Sequence, residues 1–166
     1  HAENCIVVAS GANANLLPVD IKKVEKAIDN CDIVLMQLEI PIETVEYVAK
    51  VAYRKSKKVI LNPAPARFLS QELFSHLYLI TPNETEAEIL SGVSIMDLDS
   101  AKEAAKKISK QGVENVVITL GSDGALIYEN GVFTKIEAFK VEAIDSTGAG
   151  DVFNGALCVA LLEGQS

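Results

Sequence analysis

The sequence predicts an α/β fold: one domain over residues 1–166 built on a layered, mostly parallel sheet with helices on both faces and a β-hairpin near the C-terminal end. Three observations carry this expectation. Short apolar runs bounded by turn residues alternate with stretches whose apolar residues recur at helical spacing, the rhythm of strand–helix–strand units. Several of those runs are apolar at every position, as strands covered on both faces must be. Towards the C-terminus the rhythm breaks at Glu129-Asn-Gly131, where an Asn-Gly pair suits a tight hairpin turn.

Taken in order, the expected strands are Ile6–Ala9, Ile33–Leu38, Val59–Leu61, Leu77–Ile80 and Val116–Leu120. Between the first two, Ile21, Val24, Ala27 and Ile28 repeat at helical spacing after Pro18 and Asp20. Ile42, Val45, Val48, Ala49 and Ala52 do the same after Pro41, and Ala101, Ala104, Ala105 and Ile108 follow the cap candidate Asp99 and end at Gly112. Gln71 to Leu79 is a further amphipathic segment. Ala125 to Val141 reads as the hairpin followed by an extended piece. The last segment, Val152 to Leu162, is a helix apolar enough to be buried. In sheets of this kind ligands bind beyond the C-terminal ends of parallel strands.

Composition narrows the function classes. A net charge of −8 and the absence of a basic stripe argue against nucleic acid as a partner. No apolar stretch approaches the roughly 20 residues that span a bilayer, and no signal peptide opens the chain, so a soluble cytoplasmic protein without membrane partners is expected. Cys5, Cys31 and Cys158 are scattered and odd in number, which suits core thiols rather than disulfides or a metal site. With only His1 and His76, histidine-based zinc chemistry and a Ser-His-Asp triad have little to work with. A start at His1 rather than Met, and an end just past a strongly apolar helix, read as part of a longer protein.

The most informative segment is Asp145-Ser-Thr-Gly-Ala-Gly-Asp-Val-Phe-Asn-Gly-Ala-Leu157. Its small residues bring Asp151 to the start of an apolar helix, where amide N–H groups are unpaired and the helix dipole is positive. One reading is a tight turn with Asp151 as the N-cap. The other is an anion site containing a base, with Gly148, Ala149 and Gly150 letting a phosphate approach the backbone and Asp151 reaching a hydroxyl beside it. Asp145, Thr147, Asp151 and Asn154 crowd polar groups around the turn, and buried polar groups need partners.

Four other segments fall at strand ends. Glu39, in Gln37-Leu-Glu-Ile-Pro41, can accept hydrogen bonds from sugar hydroxyls or be a solvated acid before a helix. Asn62-Pro-Ala-Pro-Ala66 is rigid and can simply stop a strand. In Thr81-Pro-Asn-Glu-Thr-Glu-Ala-Glu88, Asn83 and Glu86 have capping-box spacing, and Glu86 can also hold Mg²⁺ through water. Thr119-Leu-Gly-Ser-Asp-Gly124 either turns the chain or lets a nucleotide lie on bare backbone. Walker-type, dinucleotide-binding and protein-kinase signatures are absent.

Together and in this order, Gly11-Ala-Asn-Ala14 and the motifs above resemble the ribokinase/PfkB family of carbohydrate kinases, along nearly the whole chain. The resemblance implies the three-layer, Rossmann-like sheet of that family with a small β lid. It implies ATP-dependent phosphorylation of a sugar hydroxyl, D-ribose to ribose 5-phosphate on the strength of the QLEIP and NPAPA segments. Another sugar or nucleoside acceptor, or a non-catalytic nucleotide-binding module, is the alternative. Asp151 is implied as general base and Gly148, Ala149 and Gly150 as the anion hole. Asn83, Thr119, Leu120, Gly121, Ser122, Asp123, Gly124 and Gly150 are implied for ATP, and Glu39 and Asp151 for the sugar. Glu86 is implied for Mg²⁺, and Asp145 and Thr147 for a monovalent cation, K⁺. The family's N-terminal lid part, through which it forms homodimers, and the C-terminal part with the adenine pocket and remaining potassium ligands have no counterpart in these residues. Little or no turnover is therefore expected of these residues alone.

Overall fold

The computed structural model describes residues 9–142 and 145–165. Most of the strand expected at Ile6–Ala9, together with His1 and Cys5, lies outside the described residues; Ala9 itself is not in regular structure. After a 3₁₀ turn at Gly11–Asn15 come helices α1 (Pro18–Val24) and α2 (Lys26–Asp29), then strand β1 (Ile33–Met36) and helix α3 (Ile42–Arg54). Strand β2 (Lys58–Leu61), helix α4 (Gln71–Ser75), strand β3 (Leu79–Ile80), helices α5 (Glu84–Ser91) and α6 (Leu98–Ser109) and strand β4 (Asn115–Thr119) follow. A 3₁₀ turn at Gly121–Asp123 leads into β5 (Ala125–Glu129) and β6 (Val132–Ile136), and helix α7 (Ala149–Leu162) closes the order.

The sheet runs β1-β2-β3-β4-β5-β6, parallel through β4 and antiparallel through the hairpin. Each parallel crossover steps one strand in the same direction. Because such crossovers are right-handed, their helices all fall on one face. Side chains alternate accordingly. Val59, Leu61, Ile80, Val116 and Ile118 join the large core beneath α3 to α6, whereas Ile60, Leu79 and Val117 face α7, packed against Phe153, Leu157 and Leu161. The central strands are thus buried on both faces, which is why they read as unbroken apolar runs.

The large core is built from helical stripes. Val45, Val48, Ala49 and Ala52 of α3 and Ala101, Ala104, Ala105 and Ile108 of α6 are buried at the i, i+3, i+4, i+7 spacing. Each buried valine or isoleucine contributes about 1.5–3 kcal/mol. The α6 cap is Asp97, whose side chain accepts from the Ser100 N–H at 2.8 Å, not Asp99 as the sequence suggested. Asp99 is instead free to pair with Lys102. The hairpin turns at Asn130-Gly131, both at positive φ, as expected.

Helix α7 departs from expectation. Only Asn154 is buried on it, while Val152, Val159 and Leu162 are exposed. Its apolar composition suggested full burial, but a single helix on this face offers one stripe to the sheet and leaves the other side uncovered among the described residues. Cys31 and Cys158 are half-buried free thiols, one against each core cluster.

Candidate active site

The C-terminal ends of the parallel strands converge on one rim. From β2 come Asn62 and Ala64, from β3 Thr81 and Asn83, and from β4 Thr119, with Asn83 bridging to Thr119 as the strands run out. The first turn of α7 faces this rim. A crevice of about 380 Å³ between them is lined by Asn83, Glu86, Thr119, Thr147, Gly148, Gly150 and Asp151, among others.

Gly148 is the N-cap of α7 at φ +75, a conformation that a side-chain-bearing residue adopts only under strain, and no side chain caps the helix. Ala149 N–H is taken by Ser146 O, but the N–H groups of Gly150 and Asp151 have no partner among the described residues. The tip is open, since a Cβ built on Gly150 would meet nothing within 4 Å. Asp151 is therefore not the cap. It is exposed beside that tip, its Oδ2 3.9 Å from where a Cβ on Gly148 would stand. Unpaired amides at the positive end of a helix attract anions, and a carboxylate within reach of the same spot can accept a proton.

On the opposite wall the capping box forms as spaced. Asn83 Oδ1 accepts from Glu86 N–H at 2.8 Å and Glu86 Oε2 accepts from Asn83 N–H at 2.9 Å. Glu86 is only 9% exposed, and burial pushes its carboxyl above the usual glutamate range, against the lowering effect of the Asn83 N–H. No fully buried side-chain oxygen lacks a partner among the described residues, so the second Glu86 oxygen, which has no partner there, keeps some exposure at the crevice that Glu86 lines. That donor set suits Mg²⁺, which keeps several waters and takes one or two carboxylates plus phosphate oxygens. Among the described residues there is no cluster of three or more acidic, His or Cys side chains for a fully protein-bound metal.

A second cleft of about 670 Å³ continues from the crevice past Asn83, Thr119 and Gly150 to Gly121, Gly124, Ala149 and the Ile136–Phe139 segment. Its wall is mostly backbone and apolar side chains, which suits a flat ring, with Glu84, Thr85 and Glu137 as further polar members. No lysine or arginine lines either space, so a polyanion there must be met by amides and a cation. Of the other residues expected at this place, Leu120 points its side chain into the core at 8% exposure and can contribute only backbone, while Ser122 and Asp123 sit on the exposed 3₁₀ turn outside the cleft lining.

Glu39 stands apart, in a third cleft of about 530 Å³ with Ser10, Asn13, Pro41 and Arg67. Ala64, in the proline-rich loop whose carbonyl accepts from Leu38 N–H at 2.8 Å, lines both this cleft and the crevice and links them. Asp145 Oδ1 accepts from Thr147 N–H at 2.8 Å; that amide, with the Thr147 hydroxyl, holds the Asp145 carboxyl below its usual range. Thr147 reaches the crevice lining and Asp145 does not.

The sequence marks no binding or catalytic role for Asn62, Thr81 or the Ile136–Phe139 wall. Polar residues at the ends of apolar strands were the available signal for the first two; nothing local marks the third.

Comparison with known proteins identifies the family. The family profile described as "pfkB family carbohydrate kinase" matches residues 1–166. The ribokinase of Haemophilus influenzae is 49% identical over 165 residues, 99% of this chain and 54% of that protein. The Staphylococcus aureus (strain COL) ribokinase is 41% identical over 99% of this chain and 54% of that protein. The structure of Arabidopsis thaliana ribokinase complexed with ribose and ATP superposes with a TM-score of 0.89 at 31% identity, covering 99% of this chain and 54% of that one. The chain thus spans about half the length of the relatives it matches.

Proposed function

Because this chain belongs to the pfkB family of carbohydrate kinases, we propose that it serves an ATP-dependent sugar kinase whose acceptor is D-ribose, and that it contributes the site of phosphoryl transfer. The observation that carries the proposal is the open tip of α7, with two amides that lack partners among the described residues and Asp151 beside them on a crevice shared with Glu86. Support for ribose comes from the ribokinase relatives and from the complex of one structural relative with ribose and ATP.

In this reading the γ-phosphate lies at the Gly148–Gly150 turn, and the rest of the nucleotide runs past Thr119 to Gly124 and along the second cleft. The sugar sits between Glu39 and Asp151. As the acceptor hydroxyl attacks phosphorus, the bond to the β-phosphate oxygen breaks, ADP departs, and Asp151 accepts the hydroxyl proton. In a loose transition state that transfer is late, so Asp151 need not ionise the alcohol beforehand. The larger rate terms come from alignment and from amides already aimed at the developing charge. Glu86 would hold Mg²⁺ through water, and the ion would supply neutralisation of the phosphate charge there. Asp145 and Thr147 would supply part of the oxygen set for K⁺ beside the turn. A homodimer of the full-length protein, formed outside these residues, belongs to the same reading.

A coupled assay of the full-length protein with ATP and a panel of pentoses and hexoses tests it. Ribose should give the highest kcat/KM. A higher value for another sugar would reassign the acceptor, and no turnover with any would remove the catalytic reading.

A further inference from the structure

Helix α7 exposes much of its apolar surface and buries one polar residue, Asn154, at 3% exposure. Its Nδ2 donates to Gly150 O at 2.9 Å, and its Oδ1 accepts from Thr81 Oγ1 at 2.6 Å. Thr81, 2% exposed, is the residue that follows β3. Its N–H donates to Leu61 O at 3.0 Å, and its carbonyl accepts from Asn62 Nδ2 at 3.1 Å. A buried polar chain therefore runs from the end of β2 through the end of β3 into the first turn of α7.

Among the described residues no other side-chain hydrogen bond reaches that turn. Its N-cap is a glycine without a side-chain bond, and the outer face of α7 is uncovered among the described residues. Asn154 lies three residues beyond Asp151, one turn along the same side of the helix, and grips the carbonyl of the residue that precedes Asp151. The bonding pattern also has one direction only. Nδ2 must face a carbonyl, so Oδ1 must accept, and the Thr81 hydroxyl is the donor that satisfies it.

We propose that Thr81 and Asn154 are positioning residues: through this hydrogen-bonded pair the strand ends fix the height and rotation of the α7 tip, and hence where Asp151 and the Gly150 and Asp151 amides point. Both border the crevice, but they are almost fully buried and their side-chain polar atoms are bonded within the protein, so their part is to hold Asp151 rather than to meet substrate. The inference rests on the function proposed above for its kinetic consequence, but its structural content does not.

The test separates positioning from simple stability. Thr81→Val is nearly isosteric and strands Asn154 Oδ1 without a donor, so it should lower both Tm and kcat. Thr81→Ser keeps the hydroxyl and should restore kcat. In the double variant Thr81→Val/Asn154→Leu both polar partners become apolar, which can be nearly neutral for stability. In the full-length protein this double variant should recover Tm towards wild type while kcat stays down by about 10- to 100-fold, the scale expected of a misplaced catalytic group, with KM for ATP changed far less. Amide hydrogen exchange at residues 148–152 should be faster than in the wild type at matched stability. Recovery of kcat together with Tm, or exchange unchanged in that turn, would overturn the inference. Should the wild type prove to have no sugar kinase activity, the exchange measurement alone decides it, and the proposed function fails separately.

Discussion

Glu86 spends one oxygen on a capping bond and opens the other to the crevice, while burial holds its carboxyl above the usual glutamate range. A raised folded-state value means that the folded protein binds this proton more tightly than the unfolded chain does. Wild-type stability is therefore lost as pH rises from the ordinary glutamate value through the raised one. Glu86→Gln keeps an acceptor for the Asn83 N–H and removes the buried charge. With magnesium chelated, it should have a higher Tm than wild type at pH 7, with the gain shrinking as pH falls through that window. It should also raise KM for MgATP, because a neutral amide holds hydrated magnesium poorly. A Tm equal to or below wild type at pH 7 would show that the charge is compensated in the fold. The capping role was legible in the sequence, since Asn83 and Glu86 stand three apart; the burial that strains the charge was not, because it depends on what packs over α5.

The turn from β4 into the hairpin shows the same division at the scale of an element. The two glycines of Thr119 to Gly124 were visible as a turn, but not that Gly124 sits at φ +90 with Ile136 O only 1.9 Å from a would-be Cβ. Gly124→Ala must both strain the backbone and push β6 and the Ile136–Phe139 wall aside, costing about 3 kcal/mol or more. Urea unfolding should show a lowered midpoint, and ATP affinity should fall with it; an unchanged midpoint would mean that the hairpin yields freely. The strands at Ile33–Met36, Lys58–Leu61 and Asn115–Thr119 were legible as apolar runs, because the alternation of residues such as Val59, Ile60 and Leu61 between two cores leaves no polar residue in the run. The Thr81–Asn154 bond joins residues 73 apart, a separation no local pattern encodes. The choice of Asp97 over Asp99 as the α6 cap turned on which carboxylate lies three residues before a free N–H.

For the whole molecule, the sheet order places every crossover helix on one face and leaves α7 alone on the other, so apolar residues such as Leu35, Val159 and Leu162 are exposed. Apolar content predicted burial for α7 because composition cannot say which elements are present to cover it. The clefts proposed for nucleotide and phosphate are formed within these residues, whereas Glu39 lies in a cleft of its own of about 530 Å³, joined to the crevice along Ala64. A protein of these 166 residues alone should accordingly show a thermal shift with MgATP yet little or no ribose-dependent turnover. Full turnover by it would show that the sugar site is complete without further chain.

Phosphoryl transfer as proposed depends on Asp151 receiving the acceptor's proton at an open helix tip. Asp151→Asn in the full-length protein keeps the size and polarity of the side chain and removes its basicity. Steady-state kinetics beside calorimetric titration of ATP should show kcat lowered by about 10²–10⁴-fold with ATP affinity essentially unchanged. A variant that turns over ribose at the wild-type kcat would contradict it.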